Sequence, residues 1–412
     1  MRFAIIGGGA SGMVTAYYLS KMGHSVTVYE KQPLLGGHIR TVNKNVKIES
    51  IAPDIVLEGG VVEFSSNFKH FHALMDELDV KLEPLTVGSA LLRRNKKRFL
   101  SPTVITGNIR GLSFILEFIK LAFVYLSANW LLLQVYLKPS SLLRDKPFSD
   151  YVSKKQVKNT WLKLFTMYCF SIPYKAIMKI PAELAFNIFR RYFWADWKRI
   201  DGGVYSYIEK IEHQLNGNVI LNANIRGITR SDKGINVKFG DDTQEHFDKL
   251  VLAVPPDQVL SLLSDPTEQE VQFFTPWKKN IATTVLHMDP LVYQGYGIAH
   301  PSEFDFFQTK EGWGYNASLN RICGLSSLQH YSLAYNIDSL IAKENIIQSF
   351  EHHTPLYTVE AFHYRRKIID NNGDDHTYHV GAYLYDGLQE GAVLSAKKVA
   401  ELVDNLNRRQ PQ

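Results

Sequence analysis

The sequence predicts an α/β protein: a Rossmann-like dinucleotide-binding domain in three ββα layers, interrupted by a discontinuous α+β second domain. Three observations carry this. The chain opens with a strand, a glycine turn, a helix and a second strand. A buried apolar strand, Leu250-Val251-Leu252-Ala253-Val254, ends in Pro255-Pro256 far downstream. The stretches between have a different texture, dense in aromatics or alternating in polarity.

The opening run is Phe3-Ala4-Ile5-Ile6-Gly7-Gly8-Gly9-Ala10-Ser11-Gly12, followed by a helical segment and Ser25-Val26-Thr27-Val28-Tyr29-Glu30. A lone G-x-G-x-x-G is a weak signal, but this βαβ frame with a terminal acid makes it strong. Gly7 makes the turn, Gly9 lets a pyrophosphate approach the backbone, and Gly12 lets the helix pack on the strand. The amides of Ala10 and Ser11 sit at a helix N-terminus that favours phosphate. Glu30 can take both hydroxyls of an adenosine ribose, with Lys31 beside it. The bland alternative is a glycine turn in an unrelated α/β protein.

Gly36-Gly37-His38-Ile39-Arg40-Thr41 follows the acid at six and seven residues. This doublet resembles the GG-doublet flavoproteins of the flavin amine oxidase superfamily: amine oxidases, phytoene desaturases and protoporphyrinogen oxidases. The resemblance covers nearly the whole chain and is strongest to the predicted NAD/FAD-binding proteins of that group. Its less generic supports are Asp201-Gly202-Gly203, Val254-Pro255-Pro256-Asp257-Gln258 and Val285-Leu286-His287-Met288-Asp289-Pro290. It implies FAD, and a reaction that moves a hydride from a substrate carbon to flavin N5.

In that family the doublet extends the pyrophosphate cradle, and the residue after it is usually an arginine on phosphate. Here it is His38, with Arg40 two further on. Glu58-Gly59-Gly60-Val61 resembles the stretch that passes the isoalloxazine ring. Ile225 matches the strand that receives the adenine, and Ala253 the strand that returns to the FAD domain. Gly381, Tyr383, Leu388, Gln389 and Ala392 match the last helix and its approach, whose N-terminus points at the flavin pyrimidine.

The resemblance divides the chain into an FAD-binding domain (1–85, 196–262 and 355–412) and a substrate domain (86–195 and 263–354) with an apolar helical insert. Segments such as Ile281 to His287 and Trp313 to Leu319 alternate like strands, and a sheet over the flavin with helices behind it is expected. From Leu121 to Leu137 there is no charged residue over 17 positions, the lower edge of a membrane span. Two readings stand: a buried helix pair roofing the substrate cavity, or a peripheral membrane contact through 111–138 that admits a lipid-like substrate. Arg93-Arg94-Asn95-Lys96-Lys97-Arg98 could meet anionic head groups or be a solvated turn.

Composition narrows the classes further. Hydrophobic residues make up 45% and charged residues 21%, which excludes a disordered chain and a polytopic transporter. The formal charge of +5 gives little reason to expect a nucleic-acid partner. Cys169 and Cys323 stand in unrelated contexts, so neither a disulfide framework nor a cysteine metal site is expected. With no targeting segment ahead of the first strand, a cytoplasmic location is expected, peripheral on the inner membrane face if 111–138 touches lipid.

No residue is singled out as catalytic. No Ser-His-Asp or Cys-His set stands out, and the pair His352-His353 lacks partners at metal-ligand spacing, which points to a solvated strand end. The family's lysine near flavin N5 falls at or near Ala282, so fast use of dioxygen is in doubt. Tyr383 and Tyr385 could form part of an aromatic cage or simply pack. With no second dinucleotide motif, electrons leave to oxygen, a quinone, a partner protein or a visiting pyridine nucleotide, and the sequence leaves the acceptor unknown. The expected substrate is a small molecule, apolar or lipid-like. The alternatives are a sugar-nucleotide-mutase-type isomerase, holding a diphosphate with Arg190-Arg191 or Arg365-Arg366, and a non-catalytic flavoprotein.

Overall fold

The computed structural model describes residues 1–95, 98–137, 139–152, 157–192 and 194–409. Lys96 and Lys97 of the basic run lie outside this set.

β1 (Arg2–Ile6), α1 (Ala10–Lys21) and β2 (Ser25–Tyr29) form the expected βαβ unit. Phe3, Ala4 and Ile5 are fully buried, as continuous apolar runs in a parallel sheet covered on both faces must be. Five parallel strands lie in the order Thr377–His379, Lys249–Leu252, β1, β2, Gly217–Ile220. Ile6 pairs with both Leu252 and Tyr29, so the strands end together. Gly7, Glu30 and Ala253 therefore share the carboxyl edge of the sheet, where open α/β sheets bind ligands.

A three-stranded antiparallel sheet (Ile225–Ser231, Gly234–Phe239, Gln244–Phe247) supplies the second β layer. The helices α1, Ser206–Gln214 and Gln389–Arg409 supply the third, with Gln389–Arg409 lying along α1.

A seven-stranded mixed sheet carries Ile346–Leu356, Lys278–His287, Ser332–Tyr335, Trp313–Ser318, Phe304–Gln308, Leu91–Leu92 and Arg98–Phe99 in that order. Alternation along Lys278–His287 is visible where Asn280, Ala282 and Thr284 are buried while Ile281 is exposed. A main core runs beneath both sheets, and a smaller one gathers around Leu92, Val104, Leu121 and Phe307.

The uncharged segment corrects one expectation. It forms most of a single 25-residue helix, Leu112–Tyr136, rather than a buried pair. Leu121 and Ala128 are buried, whereas Phe123, Leu126 and Trp130 are 73%, 71% and 60% exposed.

Candidate functional site

The glycine bend is built by close backbone packing. Gly7 has φ +110°, and a Cβ there would lie 2.5 Å from Ala253 O. A Cβ on Gly12 would overlap Gly7 O, so only glycine lets α1 sit this close to β1. Gly9 differs: its Cβ would meet nothing nearer than Gly37 Cα at 3.7 Å. Gly9 is the N-cap of α1 and supplies no side-chain cap, and it is half-buried together with Ala10 and Ser11. Gly36 N donates to Gly8 O at 2.9 Å, and Gly9 is bridged to Gly36. The two glycine loops thus stack into one cradle at an uncapped helix N-terminus. A dinucleotide pyrophosphate fits these residues, because the one open glycine faces the place a phosphate would need.

Glu30 is held rigid beside this cradle. Its Oε2 accepts from Gly8 N at 2.7 Å and its Oε1 from Gln32 N at 2.8 Å. Each oxygen keeps a lone pair for a ribose hydroxyl. Ala223 N donates to Glu30 O at 2.9 Å, which brings the start of the Ile225 strand to the same end. Lys31 is exposed, its Nζ donating to Gln258 Oε1 at 3.2 Å.

Arg40 was noted in the sequence without a role. Among the described residues its hydrogen bond goes to Ile39 O and it forms no ion pair. Burial lowers its pKa, and the nearby Glu30 charge opposes this. An unpaired, half-buried guanidinium beside a phosphate cradle can replace the arginine that His38 displaces. Arg40→Ala should weaken flavin binding by roughly tenfold to a hundredfold, the cost of about 1.5–3 kcal/mol for a charged hydrogen bond. Titrating FAD into the stripped variant measures it, and an unchanged affinity would remove Arg40 from the cradle.

Farther along, Gly59 N donates to Arg40 O at 2.6 Å, and a Cβ on Gly60 would overlap His38 O. Gly59 and Gly60 lie against Phe350, His352 and Thr284; Thr284 Oγ1 donates to Gly59 O, and His352 Nε2 lies 3.1 Å from it. Val61 is half-buried on the main core. His38 is exposed, its Nε2 lies 2.8 Å from His353 O, and desolvation lowers its pKa.

His352 corrects the expectation of a solvated strand end. It is buried, desolvation takes its pKa to about 3, and its Nδ1 has no partner. His353 instead contacts Asp257 at 2.9 Å. Among the described residues no group of His, Cys, Asp or Glu could hold a metal ion.

At the C-terminal approach, Gly381 N donates to Ser395 Oγ at 3.0 Å. Tyr383 packs edge-on to Trp277 with centroids 5.3 Å apart; its hydroxyl and Trp277 Nε1 are buried without partners. Among the described residues no ring contact joins Tyr383 to Tyr385. The helix end is capped: Leu388 N and Gly391 N both donate to Asp386 Oδ1 at 2.9 Å. Tyr207 OH donates to Gln389 Oε1, and Ala392 N to Leu388 O. Asp386 already meets part of the dipole that was expected to face the flavin.

Sequence reasoning missed Glu63. It is buried, with Tyr168 OH donating to Oε1 at 2.9 Å and Oε2 unpartnered. Desolvation raises its pKa to about 8. Aromatic rings gather around Tyr168, with Phe304 at 4.8 Å and Tyr315 at 5.4 Å. Between the ordinary glutamate range and about pH 8 the folded protein holds a proton that the unfolded chain releases. Glu63 therefore costs stability as pH rises through that window, by up to about 1.4 kcal/mol per pH unit. Glu58, also raised to about 8, adds a second such group. Glu63→Gln should make the fall in Tm between pH 5 and 8 shallower; a parallel curve would place the proton elsewhere.

Arg365 and Arg366 both pair with Glu183, at 2.9 and 3.1 Å, which takes them from a diphosphate role. Ala282 is buried opposite His352, while Lys278 and Lys279 are exposed.

A family model described as flavin containing amine oxidoreductase matches residues 10–291. No curated protein matches the chain significantly. Among solved structures, putrescine oxidase bound to putrescine aligns with TM-score 0.69 at 17% identity, covering 98% of this chain and 99% of that one. A CLA-producing fatty acid isomerase from P. acnes gives 0.68 at 15%, covering 98% of each. Cyclohexylamine oxidase from Brevibacterium oxydans IH-35A gives 0.68 at 13%, covering 99% of each. At these identities the likeness is one of fold.

Proposed function

Since the chain belongs to the family of flavin-containing amine oxidoreductases and is an FAD-dependent oxidoreductase, we propose that it oxidises a carbon of an apolar substrate, the FAD that its glycine loops would hold supplying the hydride acceptor. The observation that carries the substrate class is the aromatic wall around a neutral carboxyl. Tyr168, which donates to Glu63, packs on Phe304 and Tyr315, and Trp161 packs on Phe306 at 6.0 Å. With its pKa near 8, Glu63 offers a hydrogen-bond donor at neutral pH rather than a counter-charge for an ammonium group.

In this reading the chain's own residues position and exclude. Gly9, Gly36, Gly37 and Arg40 hold the pyrophosphate, and Glu30 holds the ribose. Gly59 and Gly60 bring backbone rather than side chain to the ring. Thr284 and His352 fix that backbone through Gly59 O. The apolar wall excludes water from the reacting carbon. Ala282 provides no amine at the position where relatives carry lysine, which favours an acceptor other than dioxygen.

The test is anaerobic mixing of the yellow protein with acyl, isoprenoid and amine compounds while following the flavin band. Bleaching by an acyl or isoprenoid compound supports the proposal. Bleaching by amines alone would reverse the substrate class. Turnover only after dithionite would favour an isomerase.

A further inference from the structure

The helix Leu112–Tyr136 has two apolar faces, and its own protein covers only one. Phe114, Phe118, Leu121, Ala128 and Leu132 pack inward on the two cores. At about 100° per residue these five fall on one stripe. Leu112, Ile115, Leu116, Ile119, Phe123, Leu126, Trp130 and Leu133 are at least half exposed. They fall in a sector roughly 100° wide on the opposite side, pointing straight away from the body. We propose that this sector inserts into the surface of a lipid bilayer, with the helix axis in the membrane plane.

The polar groups of the helix favour lipid over a protein partner. Ser127 Oγ donates to Val124 O at 2.9 Å and Asn129 Nδ2 to Tyr125 O at 3.0 Å, so both turn back on the helix backbone. The helix's two charges, Glu117 and Lys120, pair with each other at 3.0 Å, at the flank of the sector. Apart from Trp130 and Gln134 the exposed residues of this sector are apolar; a protein interface of this extent uses more hydrogen bonds than these two side chains can make, and acyl chains require none. Trp130 is exposed within the sector, and indole rings of this half-polar kind settle near the membrane–water boundary.

Charge at the two ends agrees. Arg110 precedes the helix, and Arg144 and Lys146 follow it, all exposed, with the exposed Asp145 between them turned to His363; a basic surplus at each end suits anionic head groups. By length and composition the helix could cross a membrane; here its inward stripe rests on both cores, which lays it along the body of the protein.

The test is co-sedimentation of the flavin-loaded protein with phosphatidylcholine vesicles, with and without about one-quarter phosphatidylglycerol. The wild type should pellet with both, more strongly with the anionic vesicles, and salt should remove only that increment. Leu126→Glu with Trp130→Glu should reduce pelleting at least about tenfold, with the flavin spectrum retained as proof of folding. A wild type that stays in the supernatant would overturn the proposal, as would a variant that pellets equally. A wild-type dimer that the double variant dissociates, with no vesicle binding, would assign the sector to a second copy of the chain.

Discussion

Gly9→Val should give a soluble, folded and colourless protein. A Cβ at Gly9 meets only Gly37 at ordinary van der Waals distance, so the chain itself tolerates it. The added methyls would instead occupy the mouth of the cradle at the start of α1, where a phosphate must approach the backbone. Losing that approach forfeits several charge-assisted hydrogen bonds, roughly 3 kcal/mol or more, and so at least about a hundredfold in FAD affinity. The check is the flavin-to-protein absorbance ratio after purification, with circular dichroism to show that the fold persists. A variant that keeps a full complement of flavin would move the pyrophosphate away from this bend.

Gly12→Val, three residues on, should fail in a different way. Here the new Cβ would overlap Gly7 O and press on Ala253 Cβ at 3.1 Å. The first of these is backbone, fixed by the parallel pairing of β1 with Lys249–Leu252. Relief requires α1 to move off the sheet, and α1 carries Met13, Val14, Ala16 and Leu19 in the core. Overpacking against backbone costs about 3 kcal/mol, and separating helix from sheet exposes further core. Soluble yield should fall sharply and unfolding should shift to lower temperature. Soluble, normally stable Gly12→Val protein would contradict the close packing of α1 on β1.

The contrast between these two glycines shows where sequence is informative. Spacing alone placed Gly7, Gly9, Gly12 and Glu30, because a βαβ turn fixes their geometry within one local unit. The strand ending at Ala253 was legible by its resemblance to the one that returns to the FAD domain, but its contact with Gly7 comes from the structure. Glu63 was not. Its partner Tyr168 is 105 residues away, and nothing in either neighbourhood announces a shared proton. Thr284 and His352 reach Gly59 only because two strands of the mixed sheet bring them there.

Asp386 escaped notice for a different reason. It sits just ahead of the helix it caps and looks like any turn acid until its two amide contacts are seen. The helix Leu112–Tyr136 differs from both. A segment that is apolar on every side carries no period to say which face is covered, so only packing could separate a buried roof from an exposed sector. Arg40 lies between these cases: the sequence located it near the doublet, and among the described residues it forms no ion pair.

The central claim is that one FAD lies across the stacked glycine loops at the carboxyl edge of the parallel sheet. The most direct measurement is the identity and amount of flavin released when the purified protein is denatured, with FAD supplied during purification. One equivalent of intact FAD per chain is the predicted result. A preparation that takes up no flavin, or that holds FMN with no adenosine half for Glu30 to bind, would contradict it.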